Sequence, residues 1–390
     1  MSATSAVRVE LGPRSYTIDI GAGILPSLGG RVRQCIAATR AVVITDAHVV
    51  TPHADVAVRS LAETGLAVER LVVPPGEETK SVAVAADLWR QLQQLEVDRQ
   101  TVVVAVGGGV IGDLAGFVAA TFARGLAFYQ VPTTLLAQVD SSVGGKVGIN
   151  LPHAKNMVGA FWQPCGVLID TDVLRTLGDR EYRSGLAEVV KYGVILDAQF
   201  FAWLESQSAA LNARDPAALR HVVERCCRLK ADVVERDERE ETGLRAVLNY
   251  GHTFCHAFES VAGYGVLLHG EAVSIGMLCA SRLAQRLGRI PAEVTAAQMD
   301  EWAADFDSWD IVDGVSDLFV DTDHWRELIL EFAAELGSAT GLVAPNPVTT
   351  NRWQSTPMAT SAFATAIART SLNGWARLPV AWPSIRSAVT

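Results

Sequence analysis

The sequence of 390 residues predicts an α/β domain with a mainly parallel sheet, followed by an all-helical domain. Up to residue 177, short apolar runs rich in valine, isoleucine and aromatic residues alternate with segments of helical period. From residue 178 to 292 only helical patterns continue, and residues 293–390 differ from both in composition. The sequence therefore predicts two domains, 1–177 and 178–292, and an atypical tail, 293–390.

Individual elements follow from the same periodicities. In the first domain, strands are predicted for residues 41–44, 70–73, 101–106 and 127–131, and a helix for residues 81–95. In the second domain, residues 181–194, 216–235 and 248–260 carry apolar side chains at three-to-four spacing, which predicts three helices. Strands that alternate with helices indicate a parallel sheet covered on both faces.

Composition excludes several classes of partner. The formal net charge is -10, which disfavours binding to nucleic acid or to an anionic membrane surface. No apolar run has the length of a membrane span, and the N-terminus shows no secretory signal. The six cysteines have no C-x-x-C spacing, so we expect a reduced, cytoplasmic protein.

Lysine is rare in this chain. Of 33 basic residues only five are lysine: Lys80, Lys146, Lys155, Lys191 and Lys230. A lysine ammonium is a compact charge on a flexible stem, which suits a small oxyanion better than the guanidinium fork of arginine does. The pattern predicts lysines at an anion site, although chance placement stays open on composition alone.

A glycine-rich segment, residues 107–116, follows the predicted strand 101–106. Gly107, Gly109 and Gly112 satisfy G-x-G-x-x-G, and the strand-to-helix context suits a phosphate group at a helix N-terminus. A dinucleotide site would also place an acid about 20 residues later, and the region of Gln130 has none. A glycine-rich turn without a ligand therefore stays open.

Three polar residues follow other predicted strands. Asp46 could accept hydrogen bonds from ribose hydroxyls, and Glu77 and Lys80 lie just after the strand 70–73. Each of them alone is equally consistent with an ordinary exposed polar residue. Together they favour a ligand site at the ends of the strands.

The segment 130–164 is dense in glycine and small polar residues. Such glycines let the backbone approach a ligand closely, and Lys146, Lys155 and Asn156 could hold anionic oxygens. A flexible loop is the alternative interpretation.

A possible metal site lies in the second domain. His252 and His256 are four residues apart on one face of a predicted helix, and His269 follows close to Glu271. Glu188 lies on another predicted helix. Three imidazoles and a carboxylate suit zinc with one open position, and the spacing alone would include His256 among the ligands.

Taken together, these segments resemble the 3-dehydroquinate synthase family, a branch of the sugar-phosphate cyclases, from about residue 7 to residue 290. The resemblance implies an N-terminal NAD-binding α/β domain and a C-terminal helical domain. It also implies a lyase of the shikimate pathway of aromatic amino acid biosynthesis. Such an enzyme converts 3-deoxy-D-arabino-heptulosonate 7-phosphate to 3-dehydroquinate and phosphate through transient oxidation by NAD, phosphate elimination, re-reduction and intramolecular aldol closure.

The resemblance also assigns residues to roles. Zn²⁺, or Co²⁺ in its place, would be held by Glu188, His252 and His269, while His256 would serve the substrate phosphate. NAD would be bound by Asp46, Glu77, Lys80, Gly109, Val110, Ile111, Gly112, Asp113, Thr133, Thr134, Lys146, Lys155 and Thr176. The anionic substrate would meet Asp140, Lys146, Lys155, Asn156, Lys191, Lys230, Arg245, Asn249 and His256, with Arg124 from the neighbouring subunit of a homodimer. Lys230 and Arg245 would bind its carboxylate.

The tail departs from the family. Family members end with a pair of lysines after an aspartate, one of which contacts the substrate phosphate, but no lysine follows Lys230 here. Residues 299–335 resemble a helical fragment of DNA alkylation repair proteins, and residues 336–390, which contain no acid, are predicted to be irregular. A fusion or a shifted reading frame would explain both segments. We expect the altered tail to weaken catalysis.

Three alternative functions stay open. Another sugar-phosphate cyclase would act on a sugar without a carboxylate, which Lys230 and Arg245 disfavour. A metal-dependent polyol dehydrogenase would accumulate NADH. An inactive remnant would bind NAD and release no phosphate.

Overall fold

The computed structural model describes residues 4–152, 154–262 and 265–290. These residues fall into two compact units, one up to Leu248 and one from Asn249 onward. The predicted tail, 293–390, with its helical fragment 299–335, lies outside the described residues.

The first unit is built on a sheet with the strand order β1-β2-β9-β6-β5-β3-β4. Its first strand pairs antiparallel with the second, and all other pairs are parallel, which confirms the predicted fold class. A separate antiparallel hairpin joins the two remaining strands. The strands in the described residues are β1 Ser5–Val9, β2 Tyr16–Gly21, β3 Arg40–Asp46, β4 Ala67–Val73, β5 Thr101–Gly107, β6 Ala127–Pro132, β7 Lys146–Leu151, β8 Ala154–Phe161 and β9 Gly166–Asp170.

Helices cover both faces of this sheet. They are α1 Leu28–Cys35, α2 Asp55–Glu63, α3 Val82–Gln94 and α4 Gly109–Thr121. Leu88 and Leu114 belong to the apolar cluster on one face, and Leu28 and Leu61 to the cluster on the other. Every residue of β5 is therefore buried, as expected for a central parallel strand.

The hairpin of β7 and β8 replaces the loop considered for part of segment 130–164. Gly148 and Gly159 pair across it, and a Cβ on Gly159 would lie 2.3 Å from the carbonyl oxygen of Val147. The glycines thus permit close pairing of two strands. The loop interpretation is wrong for these residues, because glycine weakens the sequence signal of a strand.

Four helices complete the first unit: α5 Asp179–Leu196, α6 Ala198–Ser206, α7 Ser208–Asn212 and α8 Pro216–Arg236. The side chain of Asp215 caps α8 by accepting hydrogen bonds from the amides of Ala217 and Ala218. Helix α8 contacts β1 and the short π-helical turn Ala137–Ser141. The domain boundary proposed after residue 177 stays a prediction.

The second unit contains α9 His252–Ala262 and α10 His269–Arg286, which pack together. The predicted start of the first of these at residue 248 is wrong. Leu248 belongs to the 3-10 helix Leu244–Asn249, and Gly251 has a φ of +80°, which interrupts helical geometry immediately before His252.

The helices and the cysteines can be compared with what the composition predicts. None of the helices in residues 4–152, 154–262 and 265–290 combines the length and apolarity needed to cross a membrane. All six cysteines are free thiols, as the sequence predicts.

Candidate active site

Several residues predicted to bind the nucleotide lie at the carboxyl end of the parallel sheet. Asp46 is the last residue of β3, and its carboxylate accepts a hydrogen bond from the amide of His48 at 2.8 Å. Thr133 follows β6, and its amide donates to the carbonyl of Gly107 at 2.9 Å. In open α/β sheets this edge is where ligands bind.

Helix α4 begins at this edge without a side-chain cap. Gly108 is its N-cap residue and has no side chain to accept a hydrogen bond from the first turn. A Cβ on Gly108 would lie 3.0 Å from the methyl group of Thr134, and one on Gly109 would lie 3.1 Å from Ser141 Oγ. The glycine-rich turn therefore packs closely and presents a helix N-terminus suited to a pyrophosphate group.

Lys80 is the centre of a polar cluster beside this turn. Its buried ammonium lies 2.6 Å from Asp113 Oδ2 and 2.5 Å from Asn156 Oδ1, and 3.8 Å from Glu77 Oε1. Burial alone would lower the pKa of Lys80, but Asp113 and Glu77 outweigh it and raise that pKa. Lys80 is therefore a fixed positive charge.

Asn150 connects this cluster to the hairpin of β7 and β8 through hydrogen bonds. Its side-chain amide donates to Glu77 Oε1 at 2.8 Å, and its side-chain oxygen accepts the amide of Asn156 at 2.8 Å. Asn156 has a φ of +55°, in the left-handed region that asparagine tolerates better than most residues. The sequence did not single out Asn150, although it lies within segment 130–164.

Other residues assigned to NAD lie on separate elements of the first unit. Thr134 Oγ1 accepts the amide of Ala137 at 3.2 Å. Thr176 ends the 3-10 helix Thr171–Thr176, and its hydroxyl lies 2.7 Å from His53 Nε2. Burial lowers the pKa of His53, so this imidazole is neutral at pH 7. Val110, Ile111 and Gly112 lie in the first turn of α4.

A second cluster surrounds Asp140. Its carboxylate accepts hydrogen bonds from Lys230 Nζ at 2.8 Å and from the hydroxyl of Tyr192 at 2.7 Å. Burial opposes ionisation of Asp140, but Lys230 and Lys191 outweigh it and hold the pKa of this carboxyl well below its usual range. The tyrosine was not predicted, although it adjoins Lys191 in the sequence.

Cations outnumber Asp140 in this cluster. Burial lowers the pKa of Lys230 most, and the charges of Arg245 and Lys191 lower it further, against the attraction of Asp140. Lys191 also pairs with Glu188 one turn earlier on α5, and both side chains are fully buried. We call Asp140, Lys191, Lys230 and Arg245 the cationic cluster.

Arg245 is held in place by backbone and side-chain oxygens. Its Nη1 donates to the carbonyl of Glu238 at 2.9 Å, and its Nε lies 3.6 Å from Glu240 Oε1. Glu240 also pairs with Lys146, whose side chain is half exposed at the start of β7. The sequence did not indicate Glu240.

Two further predicted residues lie on other elements of the first unit. Lys155 is the second residue of β8. Arg124 ends the 3-10 helix Phe122–Arg124 on the surface, with a φ of +64°. Its assignment to the site of a neighbouring subunit stays a prediction.

In the second unit the three histidines lie close together. The ring centroids of His252 and His269 are 5.1 Å apart, and those of His252 and His256 are 5.7 Å apart. His256 and Asn249 are exposed, whereas His252 and His269 are half-buried. The distribution fits a substrate role for His256.

The δ nitrogens of two of these rings face protein oxygens. His252 Nδ1 lies 3.3 Å from the carbonyl oxygen of Tyr250, and His269 Nδ1 lies 3.3 Å from Glu259 Oε1. Imidazole donors held in this way are typical of metal ligands. Glu259 was not predicted, although it lies two helical turns after His252, on the same face.

Solved structures with the same fold include two sugar-phosphate cyclases. A 2-deoxy-scyllo-inosose synthase, complexed with carbaglucose-6-phosphate, NAD⁺ and Co²⁺, is 29% identical with a TM-score of 0.71, over 76% of this chain and 81% of that one. The 2-epi-5-epi-valiolone synthase from Streptomyces hygroscopicus subsp. jinggangensis, with NAD⁺ and Zn²⁺ bound, is 25% identical with a TM-score of 0.70, over 93% of this chain and 87% of that one. Glycerol dehydrogenase from Schizosaccharomyces pombe shares the fold alone, at 22% identity, a TM-score of 0.54, and coverage of 73% of this chain and 74% of that one.

Relatives by sequence are more similar. A 3-dehydroquinate synthase from Rhodopirellula baltica is 53% identical over 288 residues, 72% of this chain and 76% of its own length. One from Pelobacter propionicus is 53% identical over 279 residues, 72% of this chain and 77% of its own length. Residues 70–184 match the model of the N-terminal part of 3-dehydroquinate synthase, and residues 185–309 match that of the C-terminal part. The chain therefore belongs to the 3-dehydroquinate synthase family.

Proposed function

We propose that the chain is a lyase that converts 3-deoxy-D-arabino-heptulosonate 7-phosphate to 3-dehydroquinate and phosphate, as its relatives' name implies. The observation that carries this proposal is the cationic cluster, in which Lys230 and Lys191 lie beside the Asp140 carboxylate and Arg245 acts on Lys230. Buried cations are costly unless acids or an anionic ligand offset their charge, and a substrate carboxylate would add to the compensation that Asp140 gives. A sugar acid phosphate supplies such charge.

The cofactors are NAD and a divalent metal ion, Zn²⁺ or Co²⁺, as in the related cyclases. The uncapped N-terminus of α4 and the Lys80 cluster fit the nucleotide. Glu188, His252 and His269 would hold the metal, because two imidazoles and a carboxylate are a zinc donor set with room for substrate. When bound, NAD accepts and returns a hydride, and the metal ion acidifies a substrate hydroxyl.

The protein's own residues bind and orient the substrate. Lys230 and Arg245 would hold the carboxylate, and the hydrogen bond to Asp140 raises the pKa of Lys230 against the larger lowering that burial causes. Lys146, Asn156, Asn249 and His256 are assigned to the phosphate group. The buried hydroxyl of Tyr192 fixes Asp140 and so keeps the cationic cluster in one geometry.

The same proposal covers assembly and location. We infer a cytoplasmic homodimer, because the free thiols fit a reducing compartment and the exposed Arg124 is available to a neighbouring subunit. Size-exclusion chromatography with light scattering would measure the oligomeric state. A monomer at assay concentration with full activity would contradict the role of Arg124.

The test of function is a phosphate-release assay with two substrates. The sugar acid and sedoheptulose 7-phosphate, which lacks the carboxylate, are supplied in parallel with NAD and Zn²⁺, and NADH is monitored by absorbance. We expect phosphate release from the sugar acid without net NADH. Turnover of the heptulose alone would indicate another cyclase, and net NADH would indicate a polyol dehydrogenase. NAD binding without phosphate release would indicate an inactive remnant.

The variant Arg245→Gln, compared with a control variant, tests whether Arg245 binds the substrate carboxylate. Loss of a buried charged contact costs about 2–5 kcal/mol, so kcat/KM for the sugar acid should fall roughly 30-fold or more. Arg225→Gln is the matched control, since Arg225 pairs with Asp197 on a partly exposed surface. If the two variants lost activity equally, the carboxylate assignment would be wrong.

A further inference from the structure

Glu259 is a buried acid in the second unit to which neither the sequence nor the family resemblance gives a role. Its side chain is 5% exposed, and Oε1 lies 3.3 Å from Nδ1 of His269. The residue lies on α9, seven positions after His252, while His269 begins α10. Glu259 thus connects the helix that carries one proposed metal ligand to the ligand on the next helix.

The two hydrogen bonds at the histidine rings define their tautomers. A carbonyl oxygen and a carboxylate oxygen accept hydrogen bonds, so Nδ1 carries the proton both in His252, which faces the carbonyl of Tyr250, and in His269. In each neutral ring the lone pair then resides on Nε2. Both rings are therefore prepared to bind a metal ion through the same nitrogen.

We propose that Glu259 is the positioning residue for His269. Its carboxylate accepts the Nδ1 proton, fixes the ring orientation and increases the electron density at Nε2, which strengthens the bond to the metal ion. The inference rests on the proposed function, in which His252 and His269 hold that ion. It adds an acid that does not touch the ion and yet sets the affinity for it.

Cys255 provides the competing explanation. Its Sγ lies 3.7 Å from the same Nδ1 and donates to the carbonyl of His269 at 3.8 Å. Ligand atoms of Cys255, Glu259 and His269 all lie within 4.8 Å of one another, so these three residues could bind a metal ion themselves. In that case Nδ1 would be a ligand and Glu259 would touch the ion directly.

The test compares Glu259→Gln with Glu271→Gln in the full chain. Both glutamates are buried, but Glu271 accepts a hydrogen bond from the amide of Leu268 at 2.7 Å and so caps α10. Zinc affinity is measured by competition with a chelator, and the Co²⁺-loaded proteins are compared by visible absorption. Glu259→Gln should weaken zinc binding roughly 10–100-fold and shift the cobalt spectrum. Glu271→Gln should lower thermal stability and leave both metal readouts unchanged.

Further variants at residues 255, 259 and 269 distinguish the proposal from its alternatives. If Glu259→Gln does not fold, Glu259→Asp is used instead. It retains the negative charge on a shorter side chain, farther from His269, so an intermediate zinc affinity is expected. Wild-type affinity and spectrum in a folded Glu259 variant would overturn the proposal. So would a thiolate-to-cobalt band that Cys255→Ala removes, because the ion would then lie among Cys255, Glu259 and His269. If His269→Ala still bound zinc normally, the metal assignment of the proposed function would fail instead.

Discussion

At the scale of single residues, Asp140 is the acid on which the cationic cluster depends. It accepts hydrogen bonds from Lys230 and Tyr192, and its own backbone carbonyl accepts a further one from Lys230 at 2.7 Å. Removing the carboxylate deprives the buried ammonium of Lys230 of its acid partner. The cost of breaking such a buried pair is typically several kcal/mol.

We therefore predict that Asp140→Asn lowers the free energy of unfolding by about 3 kcal/mol at pH 7 and abolishes turnover. The folded pKa of Asp140 is depressed, so its stabilisation is complete above the unfolded pKa of about 3.9 and is lost as pH falls below it. Below that pH, the difference in the free energy of unfolding between wild type and Asp140→Asn should narrow by up to about 1.4 kcal/mol per pH unit. Urea unfolding between pH 7 and pH 3 measures it.

The matched control for this prediction is Asp232→Asn on α8, the helix that carries Lys230. Asp232 pairs with Arg228 where both side chains are largely accessible, so its loss should cost less than about 1 kcal/mol. An equal cost for the two variants would show that burial does not strengthen the Asp140 interaction.

At the scale of elements, one substitution at the N-terminus of α4 should change thermal stability and NAD affinity in opposite directions. We predict that Gly108→Asp maintains or raises thermal stability, because aspartate is a preferred N-cap residue and its charge suits the helix dipole. The same carboxylate would occupy the amides and repel the pyrophosphate. NAD affinity, measured by calorimetry, should therefore fall by about 1–2 kcal/mol, or roughly 10-fold.

Gly108→Ala controls for the added volume. Its Cβ would lie 3.0 Å from the Thr134 methyl group, which a small side-chain rotation relieves. Alanine should therefore weaken NAD binding less than aspartate does. If the two variants weakened it equally, the effect would be steric, and the phosphate would not lie at this helix terminus.

Helix α9 presents His252 and His256 on one face, and their roles should separate. We predict that His252→Ala abolishes zinc binding, whereas His256→Ala keeps zinc and loses turnover. The half-buried position of His252, with Nδ1 facing Tyr250, suits a ligand, and the exposed ring of His256 suits a substrate contact. Metal content after dialysis and phosphate release measure the two effects. A His256→Ala protein without zinc would contradict the division.

At the scale of the whole molecule, the sequence beyond residue 290, of which the family model matches only the part up to residue 309, is the segment predicted to depart from the family. We predict that replacing it with the C-terminal segment of an ordinary relative lowers KM for the phosphorylated substrate and raises kcat/KM roughly 30-fold. The reason is that no lysine follows Lys230, and one charged phosphate contact is worth about 2–5 kcal/mol. NAD and zinc affinity should be unchanged.

The comparison is made between the native chain and the hybrid under identical conditions. Equal kcat/KM in both proteins would show that the native tail supplies the missing contact. The interpretation of the tail as damage would then be abandoned.

The fold was predictable where hydrophobic period was strong. Strands β3 to β6 and helices α3, α5 and α8 follow directly from valine-rich runs and three-to-four spacing. The hairpin of β7 and β8 was not predictable, because its glycines and lysines carry no strand signal. The rare lysines indicated an anion site, but the partners Asn150, Tyr192 and Glu259 depend on distances that only the folded chain defines.

The side-chain amide of Asn150 has a consequence for the chemical ageing of the protein. It donates one hydrogen bond to Glu77, while its oxygen accepts the amide of Asn156 and its own backbone amide donates to Lys80 at 2.7 Å. Spontaneous deamidation would replace the donor with a carboxylate facing Glu77, and like charges at this distance repel. Because three hydrogen bonds hold the asparagine in place, we expect this deamidation to be slower in the folded chain than in the unfolded chain.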